Sequence, residues 1–152
     1  MLCVLDYGSQ YTQLIARRLR SQGFFTQVLP GNLSAQAVSA YAPDGIILSG
    51  SPRSVGTGFD PDPALLSLGV PVLGLCFGYQ FLAHHLGGRV EPSTHREYGA
   101  ATVSKTPAGR RDPLTAKLSQ TTQVWMSHGD SVVELPPSAE LILESSGKPA
   151  GF

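Results

Sequence analysis

Apolar positions along the first half of the chain alternate between two rhythms. Residues 2–5 form an uninterrupted apolar run, the pattern of a strand buried on both faces of a parallel sheet. Residues 10–22 then switch to helical spacing. Tyr11, Leu14, Ile15 and Leu19 fall on one face, Arg17, Arg18 and Arg20 mostly outside it, and Gly23 suits the helix stop. Residues 24–29 read as a second strand closed by Pro30-Gly31, and Ser34 is placed to cap a weak helix through Ala40. A third strand, residues 46–48, follows the turn Pro43-Asp44-Gly45 and leads into a small-residue loop, 49–54. Asp62-Pro63 marks a helix start, 70–75 a fourth strand, and 77–86 a helix closed by Gly87-Gly88. This alternation predicts an α/β fold, a mostly parallel sheet with helices on both faces.

The second half has a different pattern. Residues 101–105, 123–126, 131–135 and 140–145 read as strands with only short helical pieces between them, and 106–112 as a polar loop. No internal repeat or linker divides the chain, and 152 residues is the usual size of one domain, so residues 1–152 are expected to form one.

Composition narrows the function classes. Lys plus Arg and Asp plus Glu are balanced at 11 each, which argues against a nucleic-acid partner. Hydrophobic residues at 41% and charged residues at 14% exclude a disordered chain. The 17 Gly and 12 Pro follow no period and so imply tight turns, not collagen or low complexity. No apolar run approaches the ~20 residues of a membrane helix, and Met1-Leu2-Cys3-Val4-Leu5-Asp6 lacks the basic region of a signal peptide. The two cysteines sit in separate apolar runs, so a cytoplasmic protein with free thiols and no membrane partner is expected.

The candidate chemistry centres on Val72-Leu73-Gly74-Leu75-Cys76-Phe77-Gly78-Tyr79-Gln80. A strand runs directly into Cys76 and a helix begins at once, the arrangement of a nucleophile elbow. Gly74 and Gly78 flank the cysteine by two residues and permit close strand–helix approach. A thiol at a helix N-terminus feels the positive end of the dipole, which favours the nucleophilic thiolate. The same pattern also suits a small buried residue at the end of a core strand. Cys3, inside the first strand, reads as structural. An attacked carbonyl needs amide donors for its oxyanion. The N–H of Phe77 and the backbone of the Ser49-Gly50-Ser51-Pro52 loop are placed to serve, because both lie at the carboxyl edge of the sheet. A base is harder to find. His84 and His85 read as helix-surface residues roughly 12 Å along the helix from Cys76. His95 falls in a polar stretch, and His128 follows a strand without a paired carboxylate.

These motifs resemble class I glutamine amidotransferases. The opening Asp6-Tyr7-Gly8-Ser9-Gln10, the Gly50-Ser51-Pro52 loop, the Cys76 elbow, Leu86-Gly87-Gly88, Arg96-Glu97-Tyr98-Gly99 and Val124-Trp125-Met126-Ser127-His128-Gly129-Asp130 carry the likeness over nearly the whole chain. The opening and the Trp125–Asp130 segment are most similar to the branch whose synthetase partner aminates xanthosine monophosphate to GMP. The resemblance implies a flavodoxin-like amidotransferase sheet and L-glutamine as substrate. Cys76 would form a thioester and release ammonia, with an oxyanion hole from Gly50, Ser51 and Phe77. Glutamine would be held by Gln80 and by Ser127, His128, Gly129 and Asp130. It implies no metal or cofactor in this domain; ATP and Mg would be used by a separate ATP pyrophosphatase (synthetase) domain or subunit.

Two departures stand out. Ser51 replaces the second glycine of the family's Gly-Gly-Pro, at a backbone cost if φ is positive there. The family's catalytic His and Glu lie in a Phe-His-Pro-Glu motif, and no such motif occurs among these residues, nor does a Ser-Gly-Gly-x-Asp-Ser ATP loop. The expectation is therefore an amidotransferase domain whose C-terminal elements are missing and whose turnover alone is slight. Two other readings stay open: a non-catalytic module that docks a synthetase, and an unrelated cysteine hydrolase using His128 as base.

Overall fold

The computed structural model covers residues 1–152, and describes all side chains except those of residues 93–98, 127 and 128. The chain divides into two compact units, Met1–Leu82 and Ala83–Phe152.

The first unit holds a four-stranded parallel sheet of order β2-β1-β3-β4. Its strands are β1 (Leu2–Asp6), β2 (Thr26–Pro30), β3 (Gly45–Leu48) and β4 (Val72–Gly74). The apolar run of β1 is buried throughout its middle, and every residue of β3 is buried, as central parallel strands require. Cys3, Leu5, Leu29, Val38, Ile46, Leu48, Leu65, Phe77 and Phe81 share one core.

Helix α1 (Thr12–Ser21) ends as the sequence predicts. Gly23 takes φ +86°, and the N–H groups of Gly23 and Phe24 bond the carbonyls of Arg20 and Leu19, a Schellman closure. Its buried face differs from the predicted one. Thr12 and Ala16 are buried, whereas Tyr11 and Leu14 are exposed. Small residues let the helix lie close to its neighbours, so the contact line passes between the larger side chains. The strand predicted from residue 24 begins only at Thr26, and Phe25 is left 73% exposed. Helix α2 (Ala35–Ser39) is capped by Ser34, whose Oγ accepts from the Ala37 N–H, and Asp62 caps a 3-10 turn (Pro63–Ser67) through the Ala64 N–H.

Helix α3 (Phe77–His85) closes with Gly87 at φ +94° and the Gly88 N–H on the Ala83 carbonyl. The second unit holds an antiparallel sheet of order β6-β5-β7-β8. The predicted short strands merge here into β5 (Arg89–Lys105) and β6 (Thr121–Glu134), joined by β7 (Leu143–Ser145) and β8 (Lys148–Gly151). Backbone pairing continues through polar stretches that carry no apolar alternation, so side-chain pattern alone stopped too early. Pro92, which lacks an N–H, sits where the β5–β6 register shifts. The β7–β8 hairpin, unforeseen in the sequence, turns on Ser146 (φ +50°) and Gly147 (φ +78°), two left-handed residues as a type I′ turn requires.

Candidate active site

The carboxyl ends of β1, β3 and β4 gather the predicted chemistry of the first unit. β4 stops at Gly74, and α3 begins at Phe77. Between them Cys76 adopts φ +51°, a left-handed conformation that costs a non-glycine residue about 1–2 kcal/mol. Such strain persists only where packing imposes it.

The packing is backbone against backbone. A Cβ on Gly78 would lie 2.4 Å from the Leu48 carbonyl oxygen, and one on Gly74 would lie 2.5 Å from the backbone of Gly78 and Tyr79. The first turn of α3 is thus pressed onto the ends of β3 and β4. The Gly78 N–H donates to the carbonyls of Ser49 (3.2 Å) and Leu75 (3.0 Å), and the Leu75 N–H to Leu48 (2.9 Å). These bonds fix the elbow, and they consume the Gly78 amide. Phe77, immediately after the cysteine, lies in the first turn, where amides have no intrahelical acceptor. Its side chain is buried in the core.

The loop after β3 lies beside Cys76. A Cβ on Gly50 would be 3.5 Å from that of Cys76 and 3.3 Å from the Ser9 hydroxyl. Ser51 is absent from the residues with positive φ, so its replacement of glycine carries no left-handed penalty in this conformation. Its Oγ accepts from the Arg53 N–H at 3.1 Å. Gln80 is buried one turn into α3, its N–H donating to the Cys76 carbonyl.

Cys76 is exposed and reduced, while Cys3 is wholly buried in β1. Protein around the sulfur nonetheless withholds enough water to push the Cys76 thiol above the ordinary thiol range. Burial is the cause of that shift, and it opposes the help expected from the helix dipole.

The remaining predicted residues belong to the second unit. Gly129 and Asp130 lie on β6, not in a loop after a strand. Ser127 and His128 also fall within β6, and His95 within β5; the side chains of these three lie outside the described residues. His84 and His85 are exposed on α3, as expected.

Two residues at the site were not singled out from sequence. Ser49 is wholly buried, with its hydroxyl on the Tyr7 N–H and the Gly50 carbonyl. Tyr7 packs its ring on Phe77 with centroids 5.5 Å apart. The available signal was a serine closing a fully apolar strand, where an unpaired hydroxyl would be costly.

The class-I glutamine amidotransferase family model matches residues 3–151. The chain belongs to that family. It is 45% identical to the glutamine-hydrolysing GMP synthase of Campylobacter lari over 97% of its length, and 47% identical to that of Methylococcus capsulatus, also over 97%. It spans 29% and 30% of those two proteins, less than a third of the curated relatives it matches. Among solved structures, a GMP synthase subunit from Thermoplasma acidophilum superposes with TM-score 0.80 at 27% identity, covering 97% of this chain and 74% of that one. A Thermotoga maritima glutamine amidotransferase superposes at 0.71 with 18% identity, covering 97% of this chain and 68% of that one, a likeness of fold. The expected amidotransferase α/β fold and the glutamine amidotransferase class are both borne out by these matches.

Proposed function

We propose that both units together form one glutamine amidotransferase domain, which supplies ammonia for the amination of xanthosine monophosphate to GMP. The Cys76 sulfur attacks the side-chain amide carbon of L-glutamine. The tetrahedral oxyanion is held by the N–H groups of Ser51 and Phe77, then collapses to a thioester and releases ammonia. Water adds to the thioester and glutamate leaves, restoring the thiol. Gln80, buried one turn past Cys76 on α3, helps to hold the glutamine. The ammonia passes to a separate ATP pyrophosphatase domain or subunit, where ATP and Mg are used.

The observation that carries this reading is the left-handed Cys76, pinned between β4 and α3 by contacts that only glycine at 74 and 78 allows. The thiol still needs a base. Its pKa is pushed up, and the 152 residues hold no Phe-His-Pro-Glu sequence, so on their own they turn glutamine over slowly. That raised thiol also favours a second reading, a module that binds glutamine or docks a synthetase without turnover.

The test supplies this chain with an ATP pyrophosphatase domain or subunit as its synthetase. Cys76→Ala is expected to abolish amination driven by glutamine and to leave amination driven by ammonium salts intact. Glutamine-driven amination that survives the substitution would contradict the nucleophile assignment.

A further inference from the structure

We infer that Ser49 is a positioning residue that sets the direction of the oxyanion-donating peptide; this rests on the amidotransferase reading above. Ser49 follows β3 and is wholly buried. The Tyr7 N–H lies 3.1 Å from its Oγ, and Oγ lies 3.1 Å from the Gly50 carbonyl oxygen. A backbone N–H can only donate, so Oγ accepts from Tyr7 and has its own proton left for Gly50. The relay runs one way, from the Tyr7 amide through the Ser49 hydroxyl to the Gly50 carbonyl.

That carbonyl and the Ser51 N–H belong to one planar peptide. No peptide in the chain is cis, so the two groups point in opposite directions. Holding the Gly50 oxygen on the buried hydroxyl turns the Ser51 N–H away from it, and a Cβ on Gly50, the residue that opens this peptide, would lie 3.5 Å from that of Cys76. Glycine at 50 would otherwise leave this peptide free to rotate. The hydroxyl removes that freedom.

The relay's donor is itself anchored. The Tyr7 ring packs against Phe59 and Phe77, and a Cβ on Gly31 would come within 2.6 Å of it. Phe77 carries the other oxyanion N–H. Both donors are therefore referenced to one buried Tyr7–Ser49 pair.

The test compares two reagents on Cys76 of the full chain, with labelling located by peptide mapping. With a glutamine-derived chloromethyl ketone, the thiolate adds to the ketone and forms an oxyanion. Sulfur then displaces chloride, leaving a thioether. Iodoacetamide reacts by direct displacement of iodide and forms no oxyanion. Ser49→Ala is expected to slow the chloroketone by about tenfold or more, within the range seen when an oxyanion donor is lost. The iodoacetamide rate should change less than about twofold, and Ser49→Thr, which keeps the hydroxyl, should restore the chloroketone rate. Should Ser49→Ala lose its cooperative melt, Ser49→Cys, close in volume and a weak donor, takes its place with the same expected ratio. Equal slowing with both reagents, or no slowing with either, overturns the inference. A wild-type chain that glutamine does not protect from the chloroketone would instead overturn the amidotransferase reading.

Discussion

The two units place their functional sequence on opposite kinds of backbone. In Met1–Leu82 the site is built where parallel strands end, and main-chain atoms meet so closely that Gly74 and Gly78 admit no side chain. In Ala83–Phe152 the Trp125–Asp130 motif lies along an antiparallel strand, where Trp125 is 72% exposed and a Cβ on Gly129 would meet nothing within 4 Å. Gly74 and Gly78 in the first unit are thus packing requirements of the Cys76 elbow. A glycine in the second motif is not, and its family pattern must answer to a different demand.

Substitutions can break this comparison. The largest effect on stability is expected from Gly78→Ala, whose methyl would meet the Leu48 backbone. Overpacking of this kind costs about 1–3 kcal/mol or more, read as a loss of melting temperature and of Cys76 labelling together. Gly129→Ala should stay within about 0.5 kcal/mol. Comparable losses at both positions would erase the distinction.

Next in size is the hairpin of the second unit. Gly147→Ala, at φ +78°, is expected to cost about 1–2 kcal/mol, while Ser146→Gly, at φ +50°, should be neutral or slightly stabilising. A melt that ranks them in the reverse order would remove the type I′ turn from the account.

Tyr7 supplies a smaller, opposite effect. Its hydroxyl is buried without a hydrogen-bond partner, and burial and Asp62 both push its pKa up. Tyr7→Phe should therefore raise stability by about 1 kcal/mol in denaturant titration, the low end of the cost of an unsatisfied buried group. A clear loss would mean that the hydroxyl has a partner.

The pH dependence of Cys76 sharpens the same region. Because the folded thiol is raised, alkylation should climb at pH above the ordinary thiol range. The sign for stability follows: the contribution is complete below the unfolded thiol's pKa, about 8.5, and is lost as pH rises through the higher folded value. An alkylation midpoint well below pH 8 in the chain alone would show that the helix dipole or a base outweighs burial.

Much of the first unit was legible in the sequence because its signals are local. Apolar runs gave β1 and β3, Ser34 and Asp62 gave their caps, and Gly23 gave the end of α1. The elbow was legible for the same reason. The buried face of α1 was not, since burying Thr12 and Ala16 ahead of Leu14 depends on how closely the helix packs. The length of β5 and β6 was also hidden, because backbone pairing in an antiparallel ribbon needs no apolar alternation. Ser49 was read only for its loop backbone, because its hydroxyl acts through two hydrogen bonds, one to a residue 42 positions away in sequence.

The most direct measurement is competition at the two cysteines of the native chain. A glutamine-derived chloroketone is expected to modify Cys76 and leave Cys3 untouched, with glutamine protecting and asparagine failing to protect. Equal protection by both amino acids, or none by either, would contradict a glutamine site at the Cys76 elbow.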